Sequence, residues 1–196
     1  MARRSELSRK TTETDITVRL NVDGTGKTEI STGIGFFDHM LTAFGRHGSF
    51  DLEIKAVGDL HIDAHHTMED VGIVLGQAFT TALGDKCGIT RFGQASVPMD
   101  EALLEAAVDL SGRPYLAWGV SFEREMLGQV DTQLFEEFFR ALTGNGLFTL
   151  HVRQIAGINT HHVAEAAFKA AARALRAAVT LDPRAGGKIP STKGVI

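Results

Sequence analysis

The chain has a single cysteine, Cys87, in 196 residues. One thiol cannot close an internal disulfide, so no cross-linked framework holds this fold, and the count suits a reducing cytoplasm. No run approaches the roughly 18–20 consecutive apolar residues that span a bilayer. The start, Met1 to Lys10, is basic but lacks an apolar stretch, so no secretory signal is expected. An excess of one charge is missing too. Twenty basic against 24 acidic side chains leave 20 − 24 = −4, which argues against a broad nucleic-acid surface. With 43% hydrophobic and 22% charged residues the chain is globular, and its length suits one or two compact domains with a real core.

What the chain does hold is histidine: eight, at His39, His47, His61, His65, His66, His151, His161 and His162. Two clusters read alike, His65-His66-Thr67-Met68-Glu69 and His161-His162-Val163-Ala164-Glu165, and 161 − 65 = 96 places them about half a chain apart. An internal repeat follows. Before the first cluster, Phe50, Leu52 and Ile54 alternate as in a half-buried strand; before the second, Phe148, Leu150 and Val152 do the same. Upstream of each strand the apolar residues fall at helical spacing, around Phe36–Leu41 and Leu134–Phe139. Here the offset is 137 − 39 = 98, so the second half has lost two residues between strand and motif. A long helix follows each motif, with Val71, Val74, Leu75 and Phe79 on one face in the first half and Ala164, Phe168, Ala171 and Leu175 in the second. Strands are expected at 14–22, 94–98, 104–111 and 115–122. The pattern predicts an α+β fold of two repeated halves, 1–92 and 93–196, each a sheet with helices on one face, packed as one compact unit.

At the start of a helix, positions i and i+4, or i+1 and i+4, are close on the surface, so Glu69 can share a metal with His65 or His66. The two adjacent imidazoles point about 100° apart. They therefore suit two different ions better than one. Imidazole with carboxylate favours a borderline divalent ion over magnesium or calcium. Chance supplies roughly 0.02 such patterns per chain, so two at equivalent repeat positions point to metal binding. The repeat sets His39 opposite Glu137, both types that can ligate. Eight candidates result: His39, His65, His66, Glu69, Glu137, His161, His162 and Glu165. Four per ion leave positions open for a substrate. Asp63 or Asp70 could orient a ligand imidazole from behind, while His61 and His151 read as structural. Among the basic residues, Lys169 lies four residues past Glu165, Arg113 precedes a proline, and Pro190-Ser191-Thr192-Lys193-Gly194 could cradle an anion. By spacing alone these are ordinary surface charges.

Gly33–Leu41, His61–Asp70, Glu137–Arg140, Asn159–His162 and Pro190–Gly194 together closely resemble the imidazoleglycerol-phosphate dehydratase family, and the likeness runs from about Arg9 to Ile196. The resemblance implies a duplicated half like the second domain of ribosomal protein S5 and a cytoplasmic enzyme of histidine biosynthesis. It also implies a cage of twenty-four subunits with active sites between them, and two manganese ions per active site. It makes the eight candidates the metal ligands; at Glu137 many members have histidine instead. It places Glu13, His39, His47, His65, Glu69, Arg91, Arg113, His161, Lys169, Ser191, Thr192 and Lys193 around the phosphate substrate, with no nucleic acid or membrane partner. Glu13, Glu69 and Glu165 are the candidate catalytic carboxylates. The reaction it implies removes a proton from substrate C2, which no carbonyl acidifies. Two metals on the ring nitrogens would favour an imidazolate that expels the C3 hydroxyl through a diazafulvene, while a carboxylate takes the C2 proton. Glu13 is the expected base, because a carboxylate ligating a metal is a poorer one. A dinuclear phosphatase or a metal-storage protein would use the same ligand types; the first would release phosphate, and the second would need no basic tail.

Overall fold

A computed structural model describes residues 3–196; the first two residues of the basic start lie outside it. The first half runs β1 (Arg4–Lys10), β2 (Thr14–Asn21), β3 (Thr28–Ser31), α1 (Gly35–Gly48), β4 (Asp51–Gly58), α2 (His65–Leu83). The second repeats it as β5 (Phe92–Met99), β6 (Ala102–Asp109), β7 (Tyr115–Gly119), α3 (Gln133–Gly146), β10 (Thr149–Ala156), α4 (Thr160–Val179). Extra in the second half are a hairpin ahead of α3, β8 (Met126–Leu127) with β9 (Val130–Asp131), and a short 3-10 turn after α4 (Pro183–Ala185). The sheets share one topology, β1-β2-β4-β3 and β5-β6-β10-β7, antiparallel except for the final parallel pair. The expected α+β repeat is what the chain forms. No helix among the described residues is long and apolar enough to cross a membrane.

Strong alternation made β2 easy to expect: Ile16, Val18 and Leu20 are buried while Asp15 and Arg19 face out. Strands β1 and β3 escaped the apolar pattern because each carries one apolar residue, Leu7 and Ile30. Pairing with β2 along its whole length, and a half-buried contact to α2 through Ser5 Oγ donating to Ala78 O at 2.8 Å, hold β1 in place instead. Helices α1 and α3 both end on a left-handed residue, Ser49 (φ 54°) and Leu147 (φ 51°). That conformation disfavours side chains by about 1–2 kcal/mol, yet both halves use it for the same reversal into β4 and β10.

The helices lie between the two sheets. Within each half α2 covers β1 and β2, and α4 covers β5 and β6; across the halves α2 packs on α3 and α1 on α4. Phenylalanine fills this junction: Phe37, Phe135, Phe138, Phe139 and Phe168 are fully buried, and the Phe138 and Phe168 rings stack at 5.4 Å. Helices α2 and α3 approach closely enough that a Cβ on Gly76 would sit 2.5 Å from Leu142 O and 2.7 Å from Gly146 N. The obstacles are backbone, which cannot swing aside. Gly76→Ala is therefore expected to lose about 1–3 kcal/mol in denaturant melts, overriding the better helix propensity of alanine. An unchanged or raised midpoint would contradict this close packing.

Candidate metal centre and anion cradle

Because α1 crosses α4, a residue from each half meets. His39 Nε2 lies 3.1 Å from Glu165 Oε2, and His161 Nε2 lies 3.2 Å from the same oxygen. Donor atoms of His39, His161 and Glu165 all fall within 4.8 Å of one another, the spacing of ligands around one ion, and two imidazoles with a carboxylate suit a borderline divalent metal. The other Glu165 oxygen is 2.6 Å from Lys169 Nζ, one helical turn on. Burial pushes the Glu165 carboxyl up, but Lys169 and the two imidazoles outweigh it and hold it at about 2. It is a fixed carboxylate.

The pseudo-equivalent set is Glu137 on α3 with His65 and Glu69 on α2. It is looser: His65 Nε2 to Glu69 Oε2 is 4.0 Å, and Glu137 lies 3.6 Å from Arg140 Nε. Among the described residues only the His39 set closes to ligand spacing. The adjacent histidines do diverge. The His65 and His66 rings stand at 86° and those of His161 and His162 at 82°. His66 Nδ1 meets Asp59 Oδ2 at 3.0 Å, and His162 Nδ1 meets Glu101 Oε2 at 2.7 Å. These hydrogen bonds raise both histidines and lower both carboxyls, Glu101 to about 2.

Asp59 and Glu101 are therefore functional candidates that the sequence reading missed, and they correct the expectation of Asp63 or Asp70 behind the ligand rings. Asp63 accepts from the His65 backbone N–H at 2.8 Å, while Asp70 is taken up by Arg9 and Thr14, tying β1 to α2. A signal existed. The β1–β2 and β5–β6 hairpins superpose in register with an offset of 102 − 14 = 88, which sets Glu101 opposite Glu13. Glu13 itself has an exposed side chain, 4.0 Å from His66 Nδ1, and no closer side-chain partner among the described residues.

His47 lies near Lys169 and Arg173; burial and then these two cations lower its pKa. The remaining basic candidates gather elsewhere. Arg91 grips Asp109 with two hydrogen bonds (2.7 and 3.2 Å) and donates to Pro190 O at 2.8 Å, while Arg113 stands 3.7 Å from Asp109. Ser191 to Gly194 form a tight turn with Lys193 N on Ser191 Oγ at 3.2 Å and Gly194 N on Ser191 O at 3.1 Å, and Ile196 ends against Gly112. This cradle sits at the far end of α4, where Arg91 N donates to Ala178 O. Glu165 is 178 − 165 = 13 residues back along that helix, about 20 Å at 1.5 Å per residue. His61 lies in an exposed loop and His151 on the outer face of the second sheet beside Tyr115.

The family model for imidazoleglycerol-phosphate dehydratase matches residues 32–175. An imidazoleglycerol-phosphate dehydratase of Gluconacetobacter diazotrophicus is 67% identical over all of this chain and 98% of its own, and that of Acidiphilium cryptum is 68% identical over the full length of both. Among solved structures, the Staphylococcus aureus enzyme superposes with a TM-score of 0.83 at 42% identity, over 91% of this chain and 99% of its own. The Pyrococcus furiosus enzyme, crystallised with (S)-C348, gives 0.84 at 39% identity over 97% and 100%.

Proposed function

The chain belongs to the imidazoleglycerol-phosphate dehydratase family, and from that premise we propose that its active site is completed only between copies of the chain. It is a hydro-lyase of histidine biosynthesis, turning imidazole glycerol phosphate into imidazole acetol phosphate and water. Ring and phosphate of that substrate are joined by five single bonds of about 1.5 Å, a reach of about 8 Å. The metal cluster and the anion cradle of one chain are about 20 Å apart along α4. That mismatch carries the proposal: one copy supplies His39, His161, Glu165 and Lys169, and another supplies Arg91, Arg113, Ser191, Thr192 and Lys193. A homo-oligomer follows from it, and the family resemblance implies twenty-four subunits.

Two manganese ions per site are the proposed occupancy, held by His39, His65, His66, Glu69, Glu137, His161, His162 and Glu165. The donor types and the repeat of His-His-x-x-Glu support it. Bound divalent ions would draw charge from the substrate imidazole and ease loss of its N–H, as they do for water. Glu13 takes the C2 proton as the C3 hydroxyl leaves, and the enol so formed tautomerises to the ketone. Glu165, held ionised near 2 by its three partners, is too weak a base for that step. Lys169, beside Glu165, faces the substrate so that its imidazole ring comes to the cluster while the phosphate stays outward, and His47 lies beside Lys169 on α1, which packs on α4. A cytoplasmic location is supported by the lone thiol of Cys87.

The test mixes two variants. Manganese-loaded wild-type protein should yield the ketone and no free phosphate, whereas a phosphatase would release phosphate. His161→Ala and Arg113→Ala should each be inactive alone. Dissociated, combined and reassembled, they should regain ketone production, because some sites then draw cluster and cradle from intact copies. Mixtures as dead as their parents would overturn the shared site.

A further inference from the structure

We propose that Glu101 is a positioning residue for His162, doing in the second half what Asp59 does for His66 in the first, and thereby explaining why its twin Glu13 is free. The inference rests on the reading of His162 as a metal ligand. Both oxygens of Glu101 are engaged. Oε2 meets His162 Nδ1 at 2.7 Å, and Oε1 accepts the backbone N–H groups of Asn159 (2.8 Å) and Ile158 (3.3 Å). Asn159 in turn caps α4, its Oδ1 accepting from His161 N at 3.0 Å and His162 N at 3.4 Å. Glu101 thus ties the β5–β6 turn to the start of α4 and to one ring at once. An imidazole whose Nδ1–H is given to a carboxylate presents the Nε2 lone pair for coordination, with tautomer and ring plane set.

The repeat supplies an internal control. In the first half the same turn position is Glu13, yet His66 is held at 3.0 Å by Asp59 in the loop after β4. The register shift in β10 between Gln154 and Ala156 moves the offset from 98 to 99 beyond it, so Gly157 answers Gly58 and the counterpart of Asp59 is Ile158. An aliphatic side chain cannot hold the ring, and from there to the paired histidines the second half is three residues shorter, 161 − 158 = 3 against 65 − 59 = 6. The carboxylate behind His162 must then come from the hairpin turn, and Glu101 provides it. Where Asp59 already holds the ring, the turn glutamate is left without that duty. Duplication therefore gave one glutamate two fates, clamp at 101 and free carboxylate at 13.

The experiment is manganese titration of the chelator-stripped, otherwise intact protein, following free ion by electron paramagnetic resonance. Glu101→Ala should weaken one of the two ions by about tenfold to a hundredfold, and Glu101→Gln, which keeps an acceptor for Nδ1–H, by less. Glu13→Gln should bind both ions as wild type does. The deciding measurement is the double variant: Glu101→Ala with His162→Ala should bind no more weakly than His162→Ala alone, since Glu101 acts through that ring. Additive losses, or wild-type binding by Glu101→Ala, overturn the inference. Wild-type binding by His162→Ala would instead overturn the ligand reading beneath it. Should Glu101→Ala melt early when metal-free, Glu101→Gln in the same cycle decides, with the same two outcomes.

Discussion

Glu13→Gln is expected to keep its manganese and its assembly state while kcat falls about a hundredfold to ten-thousandfold, the range that a positioned general base contributes. The amide matches the carboxylate in shape but cannot take a proton. Among the three candidate carboxylates only Glu13 combines reach with freedom. Glu165 is committed to Lys169, His39 and His161, and Glu69 stands within 4.0 Å of His65 as part of the second ligand set. The side chain of Glu13 is 53% exposed, beside a histidine already oriented by Asp59. Steady-state kinetics with metal analysis on the same sample checks the point. Near-full activity in the variant would move the base elsewhere.

The largest loss of stability is expected from Phe168→Ala, about 3–5 kcal/mol. Phe168 is fully buried on α4 and touches Phe135, Phe138 and Phe139 on α3, with ring centroids at 5.9, 5.4 and 4.8 Å. The hole would be lined by helix faces and stacked rings, which cannot collapse without moving α4. Denaturant melts of the metal-free protein at one fixed concentration measure the loss, because subunit association would otherwise shift the midpoint. A change under 1 kcal/mol would mean that the junction between halves repacks freely. Because Glu165 and Lys169 ride on the same helix, the variant should also bind metal more weakly.

Much of this fold was readable in the chain. A helix or strand that buries one face repeats its apolar residues at a set period, and β2, β4, α2 and α4 do so clearly. The duplicated His-His-x-x-Glu carried the ligand types and their divergence, since adjacent residues on any helix point about 100° apart. Strand β1 was hidden, for its place depends on pairing with β2 and on the Arg9–Asp70 link, not on apolar content. Glu101 and Asp59 were hidden as well. A carboxylate in a loop has no period, and only contact with a ring distinguishes it from other surface acids.

By itself, then, the sequence determined the repeat, the α+β class, the candidate donor types and the family resemblance, all of which depend on residue identity and local spacing. Only the tertiary structure decided who meets whom. It is the crossing of α1 with α4, locked by the phenylalanine junction, that brings His39 to His161 and joins it to Glu165 across 126 positions of chain. It also carries Arg91 and the tail to the opposite end of α4. Such meetings are set by which faces the halves bury against each other, and periodicity along one chain holds no record of that choice.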